Sequence, residues 1–280
     1  ISRSQGPEIS YAGASALVIG VDYENQESIR KVLDEYKIDT IISTLSGHGF
    51  ITCQEILLRA GLSVPSFRRF VPSEFAIDSE RVTPTVKLYQ IKLPILASLR
   101  QVKQERPDTF EYSLINCGVF MNYLGFGNTK SEGHKAHGHL ASFPYIFDLS
   151  KKTADIPGDG EKQIVYTRAE DVGKFTAAAT QLETWEEHLD MAGDVLTMNE
   201  MVRLLEEIRG EKFSVKRNSR EEILARMSSS DSEGFMQNFH EEFFLAFVDG
   251  CCDISRPINL NKLVDVKPIT VRQYLEQWWG

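Results

Sequence analysis

From residue 16 onward, short apolar runs alternate with longer stretches whose apolar positions recur at helical spacing. Ala16 to Val21 reads as a strand ending at Asp22. Asn25 to Lys37 then places Ile29, Val32, Leu33 and Tyr36 on one helical face. Thr40-Ile41-Ile42 is the next strand, running out through Ser43-Thr44-Leu45-Ser46-Gly47, and a helix is expected over roughly 50 to 60. Phe70-Val71 ends a further short strand, Val86 to Lys103 has a helical pattern, and Tyr112-Ser113-Leu114-Ile115 is strand-like. Strands that are apolar on both faces and alternate with helices predict a parallel sheet covered on both sides, the doubly wound α/β class.

The second half has a different texture. His134 to Pro144 is polar, with Gly and His, and reads as a loop; Pro157-Gly158-Asp159-Gly160 is a turn before a strand at Gln163 to Tyr166. Thr197-Met198-Asn199-Glu200 and Thr270-Val271-Arg272-Gln273 each fit the capping box that starts a helix, and Gly210 is placed to stop the first. Ser228 to Gly234 reads as a connection, followed by a helix carrying Phe239, Phe243, Phe244 and Phe247.

Composition narrows the function classes. With 280 residues, 42% hydrophobic and 25% charged, the chain can bury a sizeable core. A net charge of -9 with no dense Lys/Arg run argues against nucleic acid as a direct ligand. No apolar run approaches the roughly 20 residues of a membrane span, and no basic segment followed by an apolar one marks a secretory signal. Cys53, Cys117, Cys251 and Cys252 show neither C-x-x-C spacing nor the density of a disulfide scaffold, so a reducing, cytoplasmic setting is expected.

A Rossmann fold begins with a strand, a glycine-rich turn and a helix, because glycine lets the backbone approach a pyrophosphate at the helix N-terminus. No G-x-G-x-x-G or G-x-x-G-x-x-G is present. The opening Ile1-Ser2-Arg3-Ser4 instead suits the end of the second strand of such a fold. Arg at that point can pair with the 2′-phosphate of NADP, where an NAD-specific protein places Asp or Glu; the competing reading is a solvated Arg at a frayed terminus.

The segment Arg69-Phe70-Val71-Pro72-Ser73-Glu74-Phe75, followed by Leu88-Tyr89-Gln90-Ile91-Lys92, resembles the isoflavone reductase-like and NmrA-like group of atypical short-chain dehydrogenases. In that group a strand ends in [VI]-P-S-E-F and a later helix supplies a lysine. Asp39-Thr40-Ile41-Ile42-Ser43, Asn116-Cys117-Gly118-Val119-Phe120, Gly158-Asp159-Gly160, Ala169-Glu170-Asp171-Val172-Gly173 and Leu196-Thr197-Met198-Asn199-Glu200 match in family order across nearly the whole chain. The resemblance implies a Rossmann-like core over 1–125 that lacks its first β-α unit, roughly 30 residues expected ahead of Ile1. A mixed substrate-covering region over 126–280 follows, with segments at about 163–196 returning to the core.

The same resemblance implies NADP(H) as cofactor. Ser2 and Arg3 would flank the 2′-phosphate, and Ser43, Thr44, Leu45 and Ser46 would lie along the pyrophosphate and ribose. Pro72, Ser73, Glu74 and Phe75 would stand near the nicotinamide half, Asn116 and Phe120 beside nicotinamide and substrate, and Lys92 at the family's catalytic lysine. Ordinary short-chain dehydrogenases use Tyr-x-x-x-Lys, in which the lysine lowers the tyrosine's pKa. Tyr89 and Lys92 are one residue too close for that motif, though three residues apart on a helix still share a face. In the family resembled an aromatic residue without a catalytic role often occupies the Tyr89 position and the lysine acts alone, so the resemblance implies Lys92 as ribose anchor and acid or base, and Tyr89 as packing. Pro94 removes an amide two residues after Lys92, and a kink is expected there unless Pro94 lies in the first helical turn. Glu74 is read first as a carboxylate accepting loop amides and second as a general acid.

His134, His137 and His139 invite a metal reading, but a Gly-containing loop does not by itself converge ligands, and no metal is expected. Adjacent Cys251 and Cys252 are read as ordinary small residues, and the Phe-rich helix as core with one face open to an apolar substrate. The leading expectation is an NADPH-dependent reductase of a small aromatic or polyketide-like metabolite. A second is an NADP-binding redox sensor of the NmrA type that works through a protein partner without turnover. A third, if 1–280 is the whole polypeptide, is an inactive product of a shortened reading frame.

Overall fold

Three short strands, Thr40–Ile42, Arg69–Val71 and Glu111–Tyr112, lie parallel in that order, with Ile41 opposite Phe70 and Phe70 opposite Tyr112. They belong to a computed structural model that describes residues 1–11, 13–47, 49–138, 140, 146–228, 238–253 and 258–280. Helices Phe50–Leu62 and Leu93–Glu105 follow the first two strands, as parallel pairing requires a crossover between neighbours. Helix Gln26–Glu35 is started by Asn25, whose side chain accepts from the amides of Glu27 and Ser28, and it buries Ile29 and Leu33 one turn apart. Phe70 is fully enclosed, and Phe67 packs its ring against both Phe70 and Phe110. These elements fall within a unit made of Ile1–Ser73, Ile91–Ser113 and Thr184–Glu187.

The second unit comprises Glu74–Gln90, Leu114–Glu183 and His188–Gly280. Leu114–Asn116 pairs parallel with His188–Asp190. Gln163–Thr167 runs antiparallel to Asp194–Thr197 and parallel to Val119–Phe120, and Thr153–Pro157 lies between Phe147–Asp148 and Ser214–Asn218. The core of this unit contains Ile77, Tyr89, Met121, Tyr166, Phe244 and Tyr274. Both expected capping boxes form, at Thr197 with Glu200 and at Thr270 with Gln273, and Gly210 ends the first helix in the left-handed conformation. The last helix, Val271–Trp279, is pinned by the Tyr274 hydroxyl donating to the Ala136 carbonyl and by the Trp279 indole donating to Leu124.

The architecture is α/β and Rossmann-like, as the alternation of elements predicts. Four local readings change. The apolar run 16–21 is not one strand: Ala14–Ala16 closes a hairpin with Ile9–Tyr11, and further on Gly20 forms an isolated parallel bridge with Ser2 while Val18 O accepts from Gly6 N. Tyr112 to Ile115 breaks at Ser113, its two parts pairing in different sheets. The expected helix from Val86 begins as a 3-10 segment, Lys87–Lys92, and becomes α-helical only at Leu93. Gly133–His137 is a short helix rather than loop, whereas His139 and 141–144 lie outside the described residues, as do 229–234. The Phe-rich helix spans Phe239–Val248 and buries Phe244 and Phe247, with Phe239 and Phe243 partly covered.

Candidate functional site

In a parallel sheet, ligands bind beyond the carboxyl ends of the strands. In the first unit those ends lead into Ser43 and Pro72-Ser73. The Ser43 amide donates to Val71 O at 2.8 Å, extending the ladder by one residue. Its hydroxyl is buried and has no hydrogen-bond partner among the described residues. Ser73 uses all three of its polar groups. Its amide donates to Gln54 Oε1 at 2.7 Å, its hydroxyl donates to Leu45 O at 2.9 Å, and its carbonyl accepts from Lys92 Nζ at 2.8 Å. Four residues from separate segments, Leu45, Gln54, Ser73 and Lys92, are thereby drawn together.

Lys92 closes the 3-10 segment and immediately precedes helix Leu93–Glu105. Pro94 is the second residue of that helix, where an amide has no intrahelical partner to lose, so the expected kink does not arise. Between Ser43 and helix Phe50–Leu62 the chain turns through Gly47 and Gly49, both at positive φ. Gly49 stands at the helix N-cap with φ 79°, and no side chain caps that end. Thr44 and Ser46 are exposed and Leu45 is half-buried. Ser2 forms the bridge to Gly20, and Arg3, next to it, is exposed.

Glu74, Phe75, Asn116 and Phe120 fall in the second unit. Glu74 is buried, and Phe75 holds φ at 27°, a left-handed conformation that costs a non-glycine residue. Directly after them, Ala76 O accepts from both Cys117 N and Gly118 N at 3.0 and 3.2 Å, fastening Ala76 to the Cys117-Gly118 turn within the second unit. Asn116 Nδ2 donates to Asp190 Oδ1 at 2.9 Å, with both side chains about 1% exposed. Phe120 packs edge-on to Tyr123 at 6.4 Å, and burial pushes the Tyr123 phenol up.

Tyr89 lies in the core of the second unit, 6.1 Å from the Phe243 ring. Burial, with smaller contributions from Cys252 and Glu74, pushes its phenol far above the ordinary tyrosine value, so it stays neutral and holds its proton. That is the environment of a packed ring, not of a general base.

His134 and His137 share the helix Gly133–His137, with the His137 ring 5.5 Å from Phe126, and His139 lies outside the described residues. Among the described residues no group of three or more His, Cys, Asp or Glu gathers as a metal site requires. No helix among them is long and apolar enough to cross a membrane.

Two contributors escape a reading of the sequence. Gln54 does leave a trace: with Leu57, Leu58 and Gly61 it sits on the buried stripe of its helix, a polar residue at an apolar position. Asp190 leaves none, because its partner is 74 residues away.

A family model described as the NmrA-like family matches residues 8–275. An oxidoreductase of Botryotinia fuckeliana is 29% identical over 226 residues, 79% of this chain and 70% of that protein. An isoflavone reductase homolog of Nicotiana tabacum is 27% identical over 214 residues, 72% of this chain and 60% of that protein. The chain thus spans well under the full length of either. Among solved structures, the binary complex of leucoanthocyanidin reductase with NADPH from Vitis vinifera superposes with a TM-score of 0.68 at 21% identity, covering 94% of this chain and 82% of that one.

Proposed function

The chain belongs to the NmrA-like family, and on that premise we propose that it is an NADPH-dependent reductase of a small aromatic or polyketide-like metabolite. The single observation that carries this reading is the Lys92 ammonium fixed on Ser73 O at the carboxyl end of a parallel strand. The names of its relatives, an oxidoreductase and an isoflavone reductase homolog, agree with it.

The residues present fit the cofactor. The buried Ser43 hydroxyl is unpartnered among the described residues, and the neighbouring helix starts at Gly49 with no side-chain cap, so a hydroxyl and main-chain N–H groups are available to phosphate or ribose oxygens. Arg3 is exposed for a 2′-phosphate. NADPH, when bound, supplies a hydride. Lys92 would hold the ribose hydroxyls and would supply or withdraw the proton at the substrate oxygen, with Ser73 O fixing where the ammonium stands. Asn116 and Phe120, in the second unit, are assigned to nicotinamide and substrate on the family resemblance alone, and Phe120 with Tyr123 forms aromatic surface of the kind a flat substrate stacks on.

The test is NADPH oxidation against a panel of phenolic and polyketide-like carbonyl and alkene compounds. Reduction of one class supports the reading. Tight NADPH binding with no compound reduced overturns it in favour of a redox sensor.

A further inference from the structure

We infer that Gln54 is a positioning residue for Lys92, acting through the Ser73 peptide. The inference rests on the reading of Lys92 as the working lysine. The path is short and lies within one unit: Gln54 Oε1 accepts from Ser73 N at 2.7 Å, and Ser73 O accepts from Lys92 Nζ at 2.8 Å. A third bond, from Ser73 Oγ to Leu45 O at 2.9 Å, stops the residue from swivelling.

An X-Pro-Ser segment leaving a strand has no ladder partner to set its peptide plane, so the direction of the Ser73 carbonyl depends on what holds its two flanks. Gln54 supplies one of those holds. Because a backbone N–H only donates, the amide atom facing it must be the oxygen, which fixes the orientation of the Gln54 side chain. Gln54 is about 1% exposed, and its Nε2 has no partner among the described residues. Burying an amide with its donors unmet costs free energy that an apolar residue on the same helical stripe would not. Stability alone is therefore a poor account of glutamine at this position, whereas an acceptor aimed at Ser73 N is a sufficient one.

The experiment compares Gln54→Met, which keeps length and loses the acceptor, with Gln54→Glu, which keeps an acceptor oxygen in either protonation state. The first readout is the rate at which an acylating reagent modifies Lys92, followed by peptide mass spectrometry on the full chain without cofactor. A lysine released from Ser73 O is expected to react at least about threefold faster in Gln54→Met and to return toward the parent rate in Gln54→Glu. The second readout is NADPH turnover: kcat is expected to fall about tenfold in Gln54→Met with KM for NADPH within about twofold, since misplacing a reacting group costs rate rather than affinity. Thermal melts confirm folding, and if Gln54→Met does not fold, Gln54→Asn withdraws the acceptor by one methylene and is read in the same way.

Unchanged Lys92 labelling in a folded variant overturns the inference. The two readings fail separately. Labelling that rises while Lys92→Ala keeps full turnover leaves Gln54 as the holder of the lysine and removes the lysine from the chemistry. Flat labelling with turnover abolished in Lys92→Ala does the reverse.

Discussion

A Cβ placed on Gly118 would stand 2.2 Å from the carbonyl oxygen of Val165. Gly118 also holds φ at 68°, so both the space and the backbone exclude a side chain. The close approach lets Val119 and Phe120 pair with Tyr166 and Thr167, and lets Thr167 Oγ1 donate to Cys117 O at 2.7 Å. Gly118→Ala combines a left-handed penalty with overpacking and is expected to lose about 2–5 kcal/mol. Urea unfolding checks this, and a loss under 1 kcal/mol would mean that the turn relaxes freely.

Asn116 and Asp190 form a buried pair, so each depends on the other more than on solvent. Asn116→Leu leaves a buried carboxylate short of a donor and is expected to cost about 2–4 kcal/mol. Adding Asp190→Leu to it should cost less than the sum of the single changes. A double-mutant cycle measures the coupling, expected at about 1–3 kcal/mol. Additive losses would show that the pair is incidental.

Asp148 gives a pH dependence. Burial alone would raise its pKa, but hydrogen bonds from Ser150 Oγ, Lys151 N and Lys151 Nζ more than offset that and hold it down at about 2. A depressed carboxylate stabilises the fold above its unfolded pKa of about 3.9 and loses that contribution as pH falls through the folded value. With a third of the side chain exposed, solvent screening limits the effect to about 1 kcal/mol. Asp148→Asn should therefore be less stable than the parent at pH 7, with the gap closing between pH 4 and pH 2. A gap that stays constant over that range would assign the loss to something other than ionisation.

Arg3 is exposed beside Ser2, which is held by the bridge to Gly20. If it reads the 2′-phosphate, Arg3→Ala should weaken NADPH by about 1.5–3 kcal/mol and leave NADH nearly unchanged. Fluorescence titration with both cofactors separates this from a structural role, in which the two losses would be equal.

What the sequence discloses is what depends on near neighbours. Asn25, Thr197 and Thr270 cap helices because their partners lie two or three residues away, and the spacing is visible in the letters. Pro94 announces a helix start as plainly as a kink; only its distance from the first α-helical residue decides, and the 3-10 segment ending at Lys92 sets that distance. The run 16–21 is apolar enough for a strand, yet a strand needs a continuous edge to pair with, and past Ala16 the run finds an isolated bridge at Gly20 and one bond at Val18 rather than a ladder. Gln54 with Ser73 and Asn116 with Asp190 are contacts of long sequence separation, which periodicity does not encode. Asn259 and Asn261 are more hidden still: their side-chain amides bond the backbone of His188, Asp190 and Ala192 as a neighbouring strand would.

Lys92 and Tyr89 are three positions apart and have opposite expected phenotypes. The Lys92 ammonium is held by a carbonyl at the end of a parallel strand, whereas Tyr89 is enclosed with its phenol pushed far above the ordinary range. A phenol in that state does not give up a proton near neutral pH, and the pair lacks the four-residue spacing by which a lysine activates a tyrosine. Lys92→Ala should lower NADPH-dependent turnover by about 10²-fold or more, since positioned acid–base groups contribute on that scale, with cofactor affinity falling less. Tyr89→Phe removes only the hydroxyl from a packed ring and should retain most activity, with a stability cost of about 1 kcal/mol. Steady-state kinetics on the two variants decide the assignment. Loss of turnover in Tyr89→Phe with retention in Lys92→Ala would transfer the acid–base role to the tyrosine and require its phenol to move out of the core during reaction.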